Sequence, residues 1–249
     1  CLPKTAWPPT FTSQKNGFEF LNELFIKRHR KILWRSTLRI TVICAILCCG
    51  VLLLMAFEPE WKKDINEMVM TWLPYFAFIL YLINRGTGFT SALFMNCDHS
   101  LLTYSFYKQP KCVLKLFQIR LREIMKINAV PALVIGVGLA VILFVSGGTE
   151  NPLNYVVLVV SALFMSMFFS IHYLTVYYLL QPYTAGTEMK SGTYRIVMIL
   201  TYVVCYAMMN LRLPILVFGV ACIAFCVLYS VVASILVYKY APQTFRLRT

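Results

Sequence analysis

The stretch MNCDHSLLTYSFYKQPKCVLKLFQIRLREIMK, Met95 to Lys126, carries six Lys or Arg residues against two acidic ones and lies between two apolar runs. Its reading decides the fold. A segment this basic cannot sit in hydrocarbon, so the side of the bilayer on which it emerges sets the direction of every span around it.

Outward from that segment the chain is lipid-soluble by composition. Hydrophobic residues make up 59% and charged residues 13%, and the mean hydropathy of +0.71 excludes an ordinary soluble domain. A hydrocarbon core about 30 Å thick needs roughly 20 apolar helical residues. Six runs approach that length: Ile40 to Phe57, Met68 to Ile83, Ile127 to Val145, Leu153 to Leu180, Ile196 to Asn210 and Leu213 to Tyr238. The second and fifth are short, and Asn210, Arg212 and Pro214 mark a tight hairpin between the last two.

With the N-terminus inside, twenty Lys and Arg fall on the cytoplasmic side and three (Lys62, Lys63, Arg212) outside, while the acidic residues divide five and five. That asymmetry puts both termini and the quoted segment in the cytoplasm and makes the chain a multi-pass protein of the plasma (cytoplasmic) membrane. The net charge of +13 then belongs to loops beside anionic lipid, and nucleic acid is not an expected partner. The first residue is Cys1 and not Met, which reads as a fragment or processed product. The long basic segment before the first apolar run is unlike a signal peptide.

The expected fold is therefore an all-α integral membrane protein with six transmembrane helices. Residues 1–39 form a cytoplasmic segment with an amphipathic helix, Phe18, Leu21, Phe25, Ile32 and Leu33 on one stripe, lying in the interface plane. Residues 40–249 form the membrane domain, with a helical cytoplasmic loop, 84–126, between spans two and three. In that loop Pro110 separates a short helix, N-capped by Asp98 and running to Tyr107, from a longer one, Lys111 to Lys126. The longer helix has Val113, Leu114, Phe117, Leu121, Ile124 and Met125 on one arc, and either lies along the membrane or continues into the third span. Leu101, Leu102, Tyr104, Phe106 and Tyr107 of the short helix need something to pack on, because two turns are unstable alone.

INRGTGFTSALFMNCDHSLLTYSFYKQP, Ile83 to Pro110, resembles ABC exporter permeases of Gram-positive bacteria, the membrane subunits of type-2 exporters. Asn84, Arg85 and Gly86 match one motif, Asn96, Cys97 and Asp98 a second, and Phe106 and Tyr107 a third. The likeness is close over these residues and architectural elsewhere. It implies that Asp98, Leu101, Leu102, Tyr104, Phe106 and Tyr107 form a coupling helix for an ABC-type ATPase subunit. It implies a second permease copy or half as a further partner. No GxxxxGK[ST] loop occurs in the sequence, so no cofactor is expected on this chain, and ATP belongs to a partner subunit or a missing region.

The resulting reading is a permease subunit of an ATP-driven exporter for a lipidic or peptide-like substrate, without enzymatic activity of its own. A noncatalytic membrane adaptor that docks a cytoplasmic regulator through the same short helix is the alternative. His172 is either a substrate-path group or a packing histidine. No carboxylate falls inside the six runs, against proton coupling. Cys44/Cys48 and Cys222/Cys226 share helix faces but lack His or carboxylate partners, so no metal is expected. Cys97, Asp98 and His99 are consecutive and cannot meet as nucleophile and base on a helix.

Overall fold

A computed structural model of the chain describes residues 17–103, 109–184 and 188–246. Tyr104, Phe106 and Tyr107, at the tip of the expected coupling helix, lie outside the described residues, as do residues 1–16 and the side chains of Phe18, Leu21 and Ile32.

Four long helices form the body: α1 (Phe18–Phe57), α6 (Pro110–Val145), α7 (Leu153–Leu180) and α9 (Ile215–Thr244). Shorter ones fill the gaps: α2 (Trp61–Thr71), α3 (Leu73–Ile83), α4 (Gly86–Leu93), α5 (His99–Leu101) and α8 (Gly192–Met208), with a π-helical turn, Phe94–Asp98, joining α4 to α5. No strand occurs among the described residues. Leu33–Phe57 of α1 and the whole of α6, α7 and α9 are long and apolar enough to cross a membrane, and residues such as Ile43, Leu47, Ile196, Leu200, Leu228 and Ile235 are exposed on the outer surface. The chain is an all-α membrane protein. Of the six expected runs, four meet the requirement; the second is divided at Trp72 and the fifth is a 17-residue helix.

The N-terminal amphipathic segment is not a separate interfacial element. It is the first half of α1, which runs unbroken through residue 39 into the apolar run. Two causes combine: no Gly or Pro interrupts residues 18 to 49, and Phe25 and Leu33 are buried against α6 rather than in lipid. On the outer side of this contact Glu19 reaches Arg122 of α6 at 3.7 Å. Likewise α6 does not stop at the membrane boundary. Its 36 residues span about 54 Å at 1.5 Å per residue, well beyond a hydrocarbon core of about 30 Å. Lys111, Lys115, Arg120, Arg122 and Lys126 all precede the charge-free part, so the excess lies at the N-terminal end.

The bundle therefore has two ends, one, the terminal end, carrying the start of α1 and the end of α9, and one carrying the hairpins. Two apolar clusters succeed each other along its length. Cys44, Met55, Leu73, Leu80, Leu139 and Leu158 belong to the hairpin half; Phe25, Phe94, Phe117, Ile124, Tyr177 and Phe245 belong to the terminal half. At the hairpin end the α2/α3 break is sewn to the α8–α9 turn: Leu213 N donates to Thr71 O at 2.9 Å, and the Arg212 guanidinium lies 5.0 Å from the Trp72 ring centre. Asn66 Nδ2 donates to Ser146 Oγ (3.1 Å) and Gly148 O (3.0 Å).

Helices α6 and α7 pack closely against each other. Small residues permit the approach: a Cβ on Gly136 would stand 2.9 Å from Val159 Cα and 3.2 Å from Ala162 Cβ. Gly86 is tighter still, since a Cβ there would overlap Cβ and Cγ of Tyr173. Gly86→Ala is expected to destabilise the protein by about 1–3 kcal/mol through overpacking. Gly88→Ala, two residues on with nothing within 4 Å, is expected to leave the melting temperature unchanged or raise it. Thermal unfolding of both variants in detergent checks the pair; equal effects would refute the packing account.

Candidate functional site at the terminal end

The site begins with an irregularity in a helix. From Gly86 the backbone winds as α4, loosens into the π-helical turn Phe94–Asp98 and resumes as the single turn α5. One additional residue per turn rotates the succeeding residues about the helix axis, and Asp98 comes to face α6 and α7. Asp98 is fully buried, with helical backbone angles and no capping bond to a helix amide. This corrects the expected N-cap: the carboxylate points inward, and the short helix is a continuation of α4 rather than an independent element. Leu102 is buried and Leu101 half-buried beside it.

The group that receives Asp98 is Arg120, 1% exposed at mid-length of the N-terminal half of α6. Arg120 Nη1 donates to Asp98 Oδ2 at 2.8 Å, and Nη2 donates to Asp98 Oδ1 in a bidentate pair. The same Nη1 donates to Tyr178 Oη at 2.7 Å, and Tyr177 Oη donates to Asp98 Oδ2 at 2.7 Å. Consecutive residues near the end of α7 thus serve opposite partners, one the cation and one the anion. Aromatic rings wall the pair: Phe245 stacks on Tyr178 at 4.4 Å, Phe117 meets it edge-on at 5.4 Å, and Tyr183 stacks on Phe94 at 4.8 Å.

Sequence periodicity located the α6 stripe slightly out of phase. The buried face runs through Val113, Phe117, Arg120, Ile124 and Ile127, whereas Leu114, Leu121 and Met125 are half-buried. Arg120 was missed. Its signal was present: an Arg at the 3- and 4-residue spacing of an apolar stripe requires a buried partner.

The other motif residues are distributed. Asn84, Arg85 and Gly86 form the break between α3 and α4: Asn84 is extended, its Oδ1 accepts from Gly86 N at 2.7 Å, and Arg85 N donates to Asn128 Oδ1 at 3.0 Å. Asn128 Nδ2 continues to Ser170 Oγ at 2.9 Å. Asn96 is exposed and donates to Ala92 O on its own helix at 2.9 Å. Cys97 lies against the ion pair, 3.9 Å from Arg120 Nη2; burial pushes its thiol up, with the guanidinium opposing in part.

His172 sits apart from this group, between α7, α8 and α9. His172 Nε2 lies 3.0 Å from Thr201 Oγ1, which itself donates to Val197 O (2.8 Å), and His172 Nδ1 lies 2.9 Å from Tyr229 Oη. Both ring nitrogens are thereby engaged in hydrogen bonds between helices. At the opposite end of the bundle an open groove of about 760 Å³ is lined by Asn66, Met70, Phe144, Glu150, Asn154 and Tyr155, remote from the ion pair.

No known protein family, curated protein or solved structure gives a match to this chain.

Removing one member of a buried pair strands the other. Arg120→Met is expected to cost about 3–5 kcal/mol, and the double variant Asp98→Asn/Arg120→Met distinctly less, because it removes both charges. Chemical denaturation in detergent would reveal a double variant as unstable as the single one, an outcome that would sink this account. The raised thiol of Cys97 predicts slow alkylation. At pH 7.5 in the folded protein Cys97 is expected to react with iodoacetamide several-fold more slowly than Cys112, the difference vanishing on denaturation; peptide mass spectrometry after timed quenching reads both sites.

Proposed function

We propose that this chain is the membrane-spanning permease subunit of an ATP-driven exporter, and that the segment from Asp98 to Tyr107 transmits the ATPase stroke to the helices. One observation carries the reading. The first residue of the segment is anchored in the bundle: Asp98 is bound to Arg120 of α6 and Tyr177 of α7. A push on a loop moves the spans only if the connection is stiff. Two charge-assisted bonds in an apolar surround make such a connection.

The architecture supports it further. On this reading the second apolar run, Met68 to Ile83, and α8 are two further passages beside the four long helices, giving six crossings with the start of α1 and the end of α9 on one side. The Lys and Arg excess on the terminal end orients that end toward the cytoplasm, where an ABC-type ATPase subunit would be reached. A second copy or half would complete the translocation path. The scarcity of polar side chains in the membrane-level part of the bundle suits a lipidic or peptide-like cargo. The likeness of the motifs at Asn84 to Gly86, Asn96 to Asp98 and Phe106 to Tyr107 to exporter permeases is in keeping with this role.

The test is purification of the natural, full-length protein from its own membranes in mild detergent, with an ATPase assay on what accompanies it. A stoichiometric nucleotide-binding subunit, lost when residues 101–107 are replaced, is the expected result. The Asp98→Asn/Arg120→Met variant is expected to retain the ATPase subunit yet lose about tenfold or more of ATP-dependent transport, since the joint is gone while the docking residues remain. Absence of any ATPase, in this chain or beside it, would leave the adaptor reading in its place.

A further inference from the structure

Five acidic residues lie at the terminal end of the bundle, and each already has a cation. Glu23 pairs with Lys27, Asp98 with Arg120, Glu19 with Arg122, Glu123 with Lys126 and Glu188 with Lys190. Arg85 is placed differently. Among the described residues its guanidinium makes no ion pair or side-chain hydrogen bond, and its Nε is buried without a partner. The neighbouring Asn84 has the same deficit on its donor side: Oδ1 is used by Gly86 N, while Nδ2 is buried and unpartnered. The backbone amides of the break are otherwise satisfied, Arg85 N by Asn128 and Gly86 N by Asn84. The remaining capacity consists of donors alone, on two consecutive residues, one of them cationic.

Their depth is set by Asn128. It stands two residues beyond Lys126 on α6, at the start of the charge-free run Ile127 to Val145, so the α3/α4 break lies at the boundary between hydrocarbon and headgroups. The abundant anion at that depth is the phosphate of a phospholipid, and a guanidinium fork with an adjacent amide N–H matches its acceptor oxygens.

We propose that Asn84 and Arg85 form a phosphate-binding site at the α3/α4 break, occupied by the headgroup of an anionic phospholipid. The site does not depend on the transport reading: it requires no ATPase and fails or stands by itself. Asn84 plays two roles in it, holding the start of α4 through Oδ1 and the ligand through Nδ2. Arg85 supplies the charge, and partial exposure of its side chain leaves a route from the lipid.

The experiment is native mass spectrometry of the full-length protein released from nanodiscs of phosphatidylglycerol and phosphatidylcholine. Wild type is expected to retain phosphatidylglycerol selectively. Arg85→Gln and Asn84→Asp, the latter keeping the acceptor for Gly86 N while removing the donor, are expected to lower that occupancy about fivefold or more, and Lys126→Gln by less than about twofold. Arg85→Lys, which keeps the charge but not the fork, should fall between, and melting temperatures identify any variant that has lost its fold. Delipidated protein with inorganic phosphate alone tests the other source: Arg85-dependent binding of phosphate without retained lipid would assign the site to the free ion. Equal losses in Arg85→Gln and Lys126→Gln, or no loss in folded Arg85→Gln, would overturn the proposal, because Arg85 would then be one interfacial cation among many.

Discussion

The contact between Asp98 and Arg120 is the constraint around which the terminal half of this protein is arranged. A carboxylate and a guanidinium, both withdrawn from water, demand that nearby lone pairs and N–H groups find partners, and the chain answers with Tyr177 and Tyr178 from one helix. The π-helical turn exists where it must, since a regular helix through residues 94–98 would direct Asp98 elsewhere. Phe245 then closes the far side by stacking on Tyr178, so that α9 ends against the same group. Helices α4, α6, α7 and α9 are thereby held at one point, and a displacement of any one is felt by the others.

That point lies in a part of the bundle that reaches past the lipid. Helices α1 and α6 continue together beyond their apolar runs, and the burial of Phe25 and Leu33 against α6 gives the extension a core of its own. A basic amphipathic helix has two ways to shelter its apolar face, in the headgroup layer or on another helix. Here the second is available because α6 extends beside it, with Glu19 and Arg122 facing each other across the contact. The same periodicity in sequence serves either outcome.

Little of the ion-pair site was legible in sequence, for identifiable reasons. Asp98 was singled out, but as a cap. Helix caps and buried ion-pair partners draw on the same residue type, and a π-helical turn leaves no pattern that distinguishes them. Arg120 was hidden by a phase error of one residue on α6, where Val113 and Leu114, or Phe117 and Leu121, define nearly overlapping arcs. The pairing of Tyr177 with the anion and Tyr178 with the cation depends on how α7 is rotated against α6, which no local pattern encodes. The close approach of Gly136 to Val159 falls on a small-residue ridge of Ala132, Gly136 and Ala140 that sequence spacing does display.

The features that the sequence determined by itself are those set by solvent. Apolar runs of sufficient length and a charge-poor composition dictate helices in lipid, and the segregation of Lys and Arg separates the two ends of the bundle, because both are one-dimensional consequences of transfer free energy. Which cations would be neutralised within the chain and which left over was decided only in three dimensions. Glu19, Glu23, Asp98, Glu123 and Glu188 are consumed by five partners, two of these pairs joining separate helices, and Arg85 is among the cations left over, with its Nε buried. Ion pairing acts over a few ångströms, so its pattern belongs to the packing of helices and not to the order of residues.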